Sequence, residues 1–363
     1  AGLMPAWNAN QLAVIQGAGY PDYSTSHDTS KTIWQTANPL GLGGYAGSGW
    51  AGRHLAANYG PTDVPGVTIS SGVAPEYRQT TTSVLAIEQL DDFGFPYDNY
   101  YLADTPAERA AKDAAFQAVY GVAAAGGQTT AKYIGNSGNA TLASTTAYGT
   151  LHNTYIADRA AFDAAYEGLD RGVANDFREI AKIMYGVKNG VANVDARFFQ
   201  LSKGGFDTHS NQGGAETNGQ HYELHDGWSQ ALNTFRQDLL DMGVWNKTLV
   251  VVWSEFSRRI PQNDNGTDHG SQGPSFVIGG GVTGGVYGNH PNIQPGALDD
   301  DENTPYSQTA GAFRSTDIRD IYGTILKHWL NMPQGQILSS VLPVDGGDPN
   351  LFWTAPNLDL GFV

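Results

Sequence analysis

Short apolar runs alternate along the chain with longer segments whose apolar residues recur at helical spacing. Segments of the first kind predict strands and cover residues 12–17, 67–69, 83–87, 196–201, 249–253 and 275–285. Segments of the second kind predict helices and cover residues 31–37, 50–60, 105–122, 155–185, 221–242 and 316–330. Continuous Val, Ile and Leu runs are typical of parallel strands that helices cover on both faces. The pattern therefore predicts an α/β fold with a mostly parallel central sheet sandwiched between helices.

Residues 125–153 interrupt this alternation, because they are rich in Gly, Thr, Ser and Ala and have few large apolar side chains. We expect an insertion or an exposed loop there. A chain of 363 residues is long enough for one large α/β domain. We therefore predict a single domain over residues 1–363.

Polar residues with metal-binding or acid–base chemistry follow two of the predicted strands. The run at 249–253 leads to Glu255 and then to a polar loop that ends at Asp268 and His269. The run at 196–201 leads to Asp207 and His209, whose side chains share one side of an extended segment. Open α/β sheets bind ligands beyond the carboxyl ends of their strands, so these residues predict a shared site.

The chemistry of these residues leaves two interpretations open. Carboxylates and imidazoles are the O and N ligands that zinc and similar divalent ions take, and His209 is also suited to carry a proton near neutral pH. Asp and His are also common in capped turns, where they have no function beyond the fold.

Ser26 stands at the predicted start of a helix and has two explanations. As a helix N-cap, it would satisfy free backbone N–H groups. As a nucleophile, it would benefit from the same N–H groups and from the positive end of the helix, which favour a phosphate or a sulfate. Arg53, on the next predicted helix, is suited to an anion or to a surface carboxylate.

Two further groups suggest metal binding by their spacing. His221 and His225 lie four residues apart and share a helix face. Asp300, Asp301 and Glu302 form an acidic run that could hold calcium, but the absence of EF-hand spacing favours a solvated loop.

Composition excludes several classes of function. The net charge of −16 argues against nucleic acid or an anionic membrane as a partner. The absence of cysteine excludes disulfides and thiolate metal sites, so a metal must be held by imidazole, carboxylate or hydroxyl groups. Only 15% of the residues are charged, which is typical of an exported protein, and we predict a secreted or periplasmic location. No segment is apolar over the length that a transmembrane helix needs, and no signal sequence opens the chain.

Several motifs together are more specific than any of them alone. They are SHDTSKTIWQT, GGFDTHSNQ, LVVVWSEFSRR, GTDHG with the following GGGVTGGVYG, and STDIRDIYGTILKHWL. In this order they resemble the bacterial family catalogued as domain of unknown function 1501, which is placed in the alkaline phosphatase and sulfatase superfamily. The resemblance runs over most of the chain and is weakest between residues 77 and 193.

The resemblance implies an alkaline phosphatase-like fold with a hydroxyl nucleophile beside one or two divalent ions, which would be zinc, calcium or magnesium. Ser26 falls where the nucleophile is expected. In a hydrolase of this kind, Glu255 would bind a second ion or act as a base, and Arg258 or Arg53 would clamp the anion of the substrate. The metal ligands implied are Asp207, His209, Glu255 and His269.

Two departures from the superfamily pattern stand out. Phe256 follows Glu255 where the phosphatases have a histidine after a carboxylate, which implies a site with one ion or with none. The first strand of the superfamily, with its metal-binding aspartate, has no counterpart here. Either a processed amino-terminal fragment or a partner subunit supplies it, or the domain was rebuilt without it.

Three functions follow as hypotheses. The first is an exported, metal-assisted hydrolase of phosphate or sulfate esters, acting on a small-molecule or polymer substrate. The second is a non-catalytic extracellular binding or assembly protein on a degenerate hydrolase fold, which the supply of Tyr, Trp, Asn and Gly favours. The third is a glycosidase or lyase that uses Asp207 and Glu255 as its two carboxylates.

Overall fold

The computed structural model describes most of the chain, and its residues group into two compact units. The described residues are 2–21, 23–39, 41, 45, 47–95, 97, 102–169, 171–213, 219–263, 265–290, 315–342, 353 and 356–363. Unit 1 comprises Ala1–Trp50 and Lys203–Val363, and unit 2 comprises Ala51–Ser202. The acidic run Asp300, Asp301 and Glu302 lies outside the described residues.

The strands and helices of the described chain are numbered in chain order. The strands are β1 Leu12–Gly19, β2 Gly66–Thr68, β3 Val84–Ala86, β4 Phe198–Gln200, β5 Leu249–Val252, β6 Ser257–Asn263, β7 Gly266–Gly270, β8 Gly273–Gly279, β9 Gly285–Tyr287 and β10 Thr316–Asp317. The helices are α1 Met4–Asn8, α2 His27–Thr36, α3 Trp50–Asn58, α4 Pro106–Ala125, α5 Thr129–Asp158, α6 Ala160–Tyr166, α7 Arg171–Lys188, α8 Gln220–Asp241, α9 Ile318–Thr324 and α10 Gln334–Gln336. Helices α9 and α10 continue as π-helical turns, Ile325–Trp329 and Ile337–Val341.

The main sheet of unit 1 is mixed, which corrects the prediction of a mostly parallel sheet. Its order is β10-β1-β8-β5, and β9 also pairs with β1. Strand β1 runs parallel to β9 and β10 but antiparallel to β8, and β8 runs antiparallel to β5. Continuous apolar runs predicted the positions of β1, β5 and β8, although β5 is only partly buried, and they carry no information about the direction of the neighbouring strand.

The chain between β5 and β8 explains the antiparallel pairing. Strands β6 and β7 form a separate two-stranded hairpin, which turns the chain back so that β8 pairs beside β5. Antiparallel neighbours need no helical crossover, whereas parallel neighbours do. Our expectation of a polar loop between Glu255 and Gly270 was therefore wrong, because most of this segment is paired strand.

Buried apolar side chains from the sheet and from the helices of unit 1 form one core. Ala13 and Ile15 of β1 and Val277 of β8 are fully buried, and Ile33 and Trp34 of α2 pack in the same cluster. This packing places the start of α2 close to the sheet, and the candidate site is built there.

Unit 2 contains a separate three-stranded sheet and the helices α4 to α7, together with most of α3. Strands β3, β2 and β4 are parallel and lie in that order. Strand β4 precedes Asp207 in the chain, so the two strand ends that predicted the site belong to two different sheets.

Residues 129–158 form a helix where we expected an exposed loop. Small residues allow α5 to lie close against α4: a Cβ atom added to Gly135 would lie 2.1 Å from the backbone N of Ala124, and one added to Gly138 would lie 2.0 Å from the ring of Tyr120. Tertiary packing of this kind outweighs the low helix propensity of Gly and Thr. That this region is an insertion, and that residues 1–363 form a single domain, stay predictions.

None of the helices in the described part of the chain combines the length and the apolar character needed to cross a bilayer.

The environment of Asp320 in α9 indicates that the free energy of unfolding depends on pH. Its Oδ1 accepts hydrogen bonds from Trp353 Nε1 at 2.6 Å and from the backbone N–H of Asn357 at 2.9 Å. Burial, with a smaller effect from the charge of Asp317, raises the pKa of Asp320 from 3.8 to about 6. Since the folded state holds the proton more tightly, this group stabilises the fold most below about pH 4 and loses that contribution as the pH rises to about 6.

We expect Asp320→Asn to remove this dependence. The free energy of unfolding of the variant, relative to the wild type, should rise by roughly 2 kcal/mol between pH 4 and pH 7. Urea denaturation at several pH values measures the difference. A difference that is constant over this range would contradict the assignment.

Candidate metal centre

In unit 1, hydrogen bonds and a stacked pair of rings hold the end of β5 against the start of α2. Tyr20 donates a hydrogen bond to Ser30 Oγ at 2.9 Å, and Ser30 donates to the backbone carbonyl of Glu255. The rings of Trp34 and Trp253 stack with centroids 5.1 Å apart and planes 3° apart. These contacts fix the first turn of α2 against the segment that carries Glu255.

His27, the first residue of α2, bridges two carboxylates. Its Nδ1 lies 2.8 Å from Glu255 Oε1, and its Nε2 lies 3.1 Å from Asp207 Oδ2. Lys31, one turn later on the same helix face, places its Nζ 3.7 Å from Glu255 Oε1, and half of its side chain is exposed.

Asp207 is the centre of the cluster, because four side chains converge on its carboxylate. In addition to the contact with His27, Oδ1 lies 2.7 Å from His269 Nε2, 2.9 Å from His209 Nε2 and 3.2 Å from Arg258 Nη1. One potential ligand atom from each of His27, Asp207 and His269 lies within 4.8 Å of the other two. His209 contacts the same carboxylate but is not part of this group of three.

The far side of each imidazole is held by an oxygen atom. His269 Nδ1 donates to the backbone carbonyl of Thr25 at 3.0 Å, because a carbonyl oxygen only accepts. His209 Nδ1 lies 3.1 Å from Asp268 Oδ1, and His27 Nδ1 faces Glu255. Metal-binding histidines commonly show this arrangement, in which an outer oxygen fixes the ring and leaves Nε2 for the ion.

The ring nitrogens and carboxylates at the centre suit a positive charge between them. With Nδ1 protonated, a neutral His269 offers only a lone pair at Nε2, and that lone pair would face a carboxylate at 2.7 Å. His209 Nε2 also lies 3.2 Å from His269 Nε2, so two N–H groups cannot both occupy that space. A cation bound between the imidazoles and Asp207 satisfies these atoms, and the N and O donors are those of zinc-type sites.

The same interactions shift the pKa values of the cluster. Burial raises the pKa of Asp207, but hydrogen bonds from His269, His27 and Arg258 outweigh it and hold the value well below the usual range. Burial lowers the pKa of His27, but hydrogen bonds to Glu255 and Asp207 outweigh it, so the net shift is upward. Asp207 is therefore ionised at neutral pH and available to a metal ion.

Arg258 and the β6–β7 hairpin support the Asp207 loop. Arg258 Nε donates to Thr267 Oγ1 at 2.9 Å, its Nη2 donates to the carbonyl of Thr267, and its side chain is 12% exposed. Thr267 Oγ1 donates in turn to Gln212 Oε1 at 2.7 Å. A Cβ atom at Gly266 would lie 2.3 Å from the backbone of His209, so only glycine allows the hairpin this close. Arg258 therefore orients Asp207, a different contact from the anion clamp that we predicted.

Ser26 stands beside the cluster rather than within it. It is the N-cap residue of α2, but its side chain makes no capping hydrogen bond in the described chain. The residues on either side both contact the cluster, Thr25 through its carbonyl and His27 through its ring. The capping explanation for this serine thus has no contact to support it, and the residue is exposed.

The second histidine pair differs from the first cluster. Trp228 Nε1 donates to His225 Nδ1 at 3.1 Å, which leaves the proton of a neutral His225 on Nε2, facing His221 Nε2 at 3.2 Å. A metal ion needs a free lone pair at both Nε2 atoms, so this hydrogen-bond chain disfavours the metal-binding explanation. Arg53 belongs to unit 2 and is buried there.

The sequence predicted five residues of the site, and the structure places all five close together. They are Asp207, His209, Glu255, Arg258 and His269. Their roles as ligands and catalysts stay predictions. Sequence reasoning missed His27, although it follows the hydroxyl at a helix start, and it gave no role to Asp268 beside His269. Glu255 contacts the cluster through His27, which suits an orienting role better than direct ligation.

The fold and the site together define a class of protein. It is an α/β protein in which three imidazoles surround one carboxylate. Residues 163–322 match a family described as "Protein of unknown function (DUF1501)". The match contains Asp207, Glu255 and His269, and it confirms the family resemblance over those residues. No curated protein and no solved structure matches the chain.

Proposed function

We propose that the protein is a metal-assisted hydrolase of phosphate or sulfate esters in the alkaline phosphatase and sulfatase superfamily. One observation carries the proposal: the Nε2 atoms of His27, His209 and His269 surround the carboxylate of Asp207, with an oxygen behind each ring. Such a cluster, with an outer oxygen fixing each ring, has the arrangement of metal-binding histidines around a carboxylate ligand. His27, Asp207 and His269 would hold the ion.

A divalent cation at this place supplies a positive charge that favours the ionised form of a nearby hydroxyl and the charge on a leaving oxygen. Ser26, after losing its proton to solvent, would attack the phosphorus or sulfur in line, and the ester oxygen would leave with its bonding electrons and take up a proton. Water would then hydrolyse the phosphorylated or sulfated serine and restore its hydroxyl. The first turn of α2 presents backbone N–H groups to the non-bridging oxygens.

The remaining residues have supporting roles. Glu255 orients His27, and Arg258 orients Asp207, so neither is free for a substrate. Lys31 is the exposed cation beside Glu255 and is suited to contact an anionic group. We propose a small-molecule or polymer ester as the substrate and, from the composition, a secreted or periplasmic location.

One observation favours the second hypothesis, a non-catalytic binding protein. The hydroxyl of Ser26 makes no side-chain hydrogen bond to the cluster within the described residues, so the site could bind a metal without catalysing a reaction. A test of Ser26 therefore separates the two hypotheses.

We expect the purified, Zn²⁺-loaded protein to hydrolyse an aryl phosphate or an aryl sulfate, and Ser26→Ala to lower kcat by about 1,000-fold or more. Thr29→Ala is the matched control, because Thr29 is an exposed hydroxyl in the first turns of the same helix. Metal content is measured on the same samples. Turnover that Ser26→Ala leaves unchanged would contradict the nucleophile, and bound metal without turnover would favour the binding protein.

A further inference from the structure

Phe256 contacts three polar residues of the centre at once. Its ring stacks on the imidazole of His269, with centroids 4.5 Å apart and planes 28° apart. The ring of His27 meets it edge-on at 5.2 Å, and the guanidinium carbon of Arg258 lies 5.3 Å from its centroid. An apolar side chain thus lies in the middle of a charged cluster.

The ring restricts what the two imidazoles can do. His27 and His269 also contact each other edge to face, with centroids 4.5 Å apart, so the three rings form one packed group. Rotation of either imidazole about its Cβ–Cγ bond would break the aromatic contact as well as the hydrogen bond at Nδ1. The negative face of the Phe256 ring also lies toward the guanidinium that holds Asp207.

Hydrogen bonds at Nδ1 alone do not fix these rings. A single hydrogen bond leaves an imidazole free to tilt, whereas a metal ion needs both Nε2 lone pairs aimed at one point. A flat partner against the ring removes that freedom. Aromatic contacts of this kind stabilise an arrangement beyond what their buried area contributes.

We propose that Phe256 is a positioning residue, which holds the rings of His27 and His269 so that their Nε2 atoms point at Asp207. At this position the chain carries a side chain that cannot bind a metal, and its contribution is the alignment of the ligands next to it. The part of this inference that concerns metal affinity rests on the proposed function, whereas the alignment of the rings does not.

The substitution Phe256→Leu separates alignment from the filling of space, because leucine keeps most of the volume but has no ring. We expect the affinity for Zn²⁺, measured by calorimetric titration, to fall by about tenfold. Phe256→Tyr keeps the ring and should stay within about threefold of the wild type, given the scale of effects from such supporting contacts.

Phe206→Leu is the matched control. Phe206 directly precedes Asp207 as Phe256 directly follows Glu255, but its ring contacts His221 and His225 instead, at 6.4 and 5.1 Å. We expect Phe206→Leu to leave the affinity for Zn²⁺ unchanged. The absorption spectrum of the Co²⁺-loaded protein adds a readout that general destabilisation would not move. We expect Phe256→Leu to change the visible bands at full occupancy and Phe206→Leu to leave them in place.

NMR spectra of the metal-free protein test the alignment independently of metal binding. The ring signals of His27 and His269 should form a single sharp set in the wild type and should broaden or split in Phe256→Leu. Unchanged ring signals, Zn²⁺ affinity and Co²⁺ bands in Phe256→Leu would overturn the inference and leave the proposed function in place. A wild-type protein that binds no Zn²⁺, but whose ring signals respond in this way, would contradict the proposed function and support the inference.

Discussion

Asp207→Asn should lower the affinity of the protein for Zn²⁺ by about 100-fold or more. The Asp207 carboxylate is the shared partner of His27, His209, His269 and Arg258. An asparagine keeps the shape of the side chain but removes the negative charge and turns one acceptor into an N–H donor. The imidazoles would then face a donor where they now face an acceptor, and one ligand of the ion would be lost.

Asp28→Asn is a suitable control for this prediction, because Asp28 is an exposed carboxylate in the first turn of α2. It removes the same charge close to the centre without removing a contact to the imidazoles. Calorimetric titration with Zn²⁺ measures both variants. Equal affinities for Asp207→Asn and Asp28→Asn would show that the charge of the region, rather than the carboxylate of Asp207, attracts the ion.

His27→Ala is expected to lower the affinity for Zn²⁺ by about 10- to 100-fold. It removes one nitrogen ligand and also leaves Glu255 without its partner at 2.8 Å. Ser26→Ala, one residue earlier, should lower turnover but leave the affinity unchanged, since its hydroxyl has no contact with the ring nitrogens. The two neighbouring substitutions therefore separate binding from catalysis.

His225→Ala is the control for the loss of an imidazole, because the proton chain from Trp228 disfavours a metal ion at His225. We expect its affinity for Zn²⁺ to equal that of the wild type. A loss of affinity in His225→Ala as large as that in His27→Ala would place the ion at the α8 pair and contradict the assignment.

Much of the local structure follows from the sequence. The apolar runs at β1 and β5 and the periodic segments of α4 and α8 form the elements that were predicted. At the start of α4, Thr105 and Glu108 form a capping box, which the spacing of a threonine and a glutamate three residues apart indicates. These features depend on residues close together in the chain, so their physical cause is visible in a short window.

The sheet and the helix α5 could not be predicted in the same way. The direction in which β8 pairs depends on the β6–β7 hairpin, and the polar composition of that segment did not indicate strands. The helicity of α5 depends on close packing against α4, which compensates for its glycines. In both cases the structure depends on a contact between two segments, and the hydrophobic pattern of at least one of them is too weak to predict its secondary structure.

Most residues of the site could be predicted from the sequence, but their arrangement in space could not. Asp207 and Glu255 were found from their positions after apolar runs, although those runs belong to different sheets. His27 was missed because its two partners lie 180 and 228 residues away, and nothing near it in the chain indicates them. The available signal was its position directly after a helix N-cap, but the functional role at this helix start was assigned to Ser26.

Anomalous diffraction from crystals of the Zn²⁺-loaded protein, recorded at the zinc absorption edge, tests the central claim most directly. We predict one peak about 2.0–2.2 Å from His27 Nε2, His269 Nε2 and a carboxylate oxygen of Asp207. A map with no peak among these three side chains, or with its peak at His221 and His225, would contradict the account.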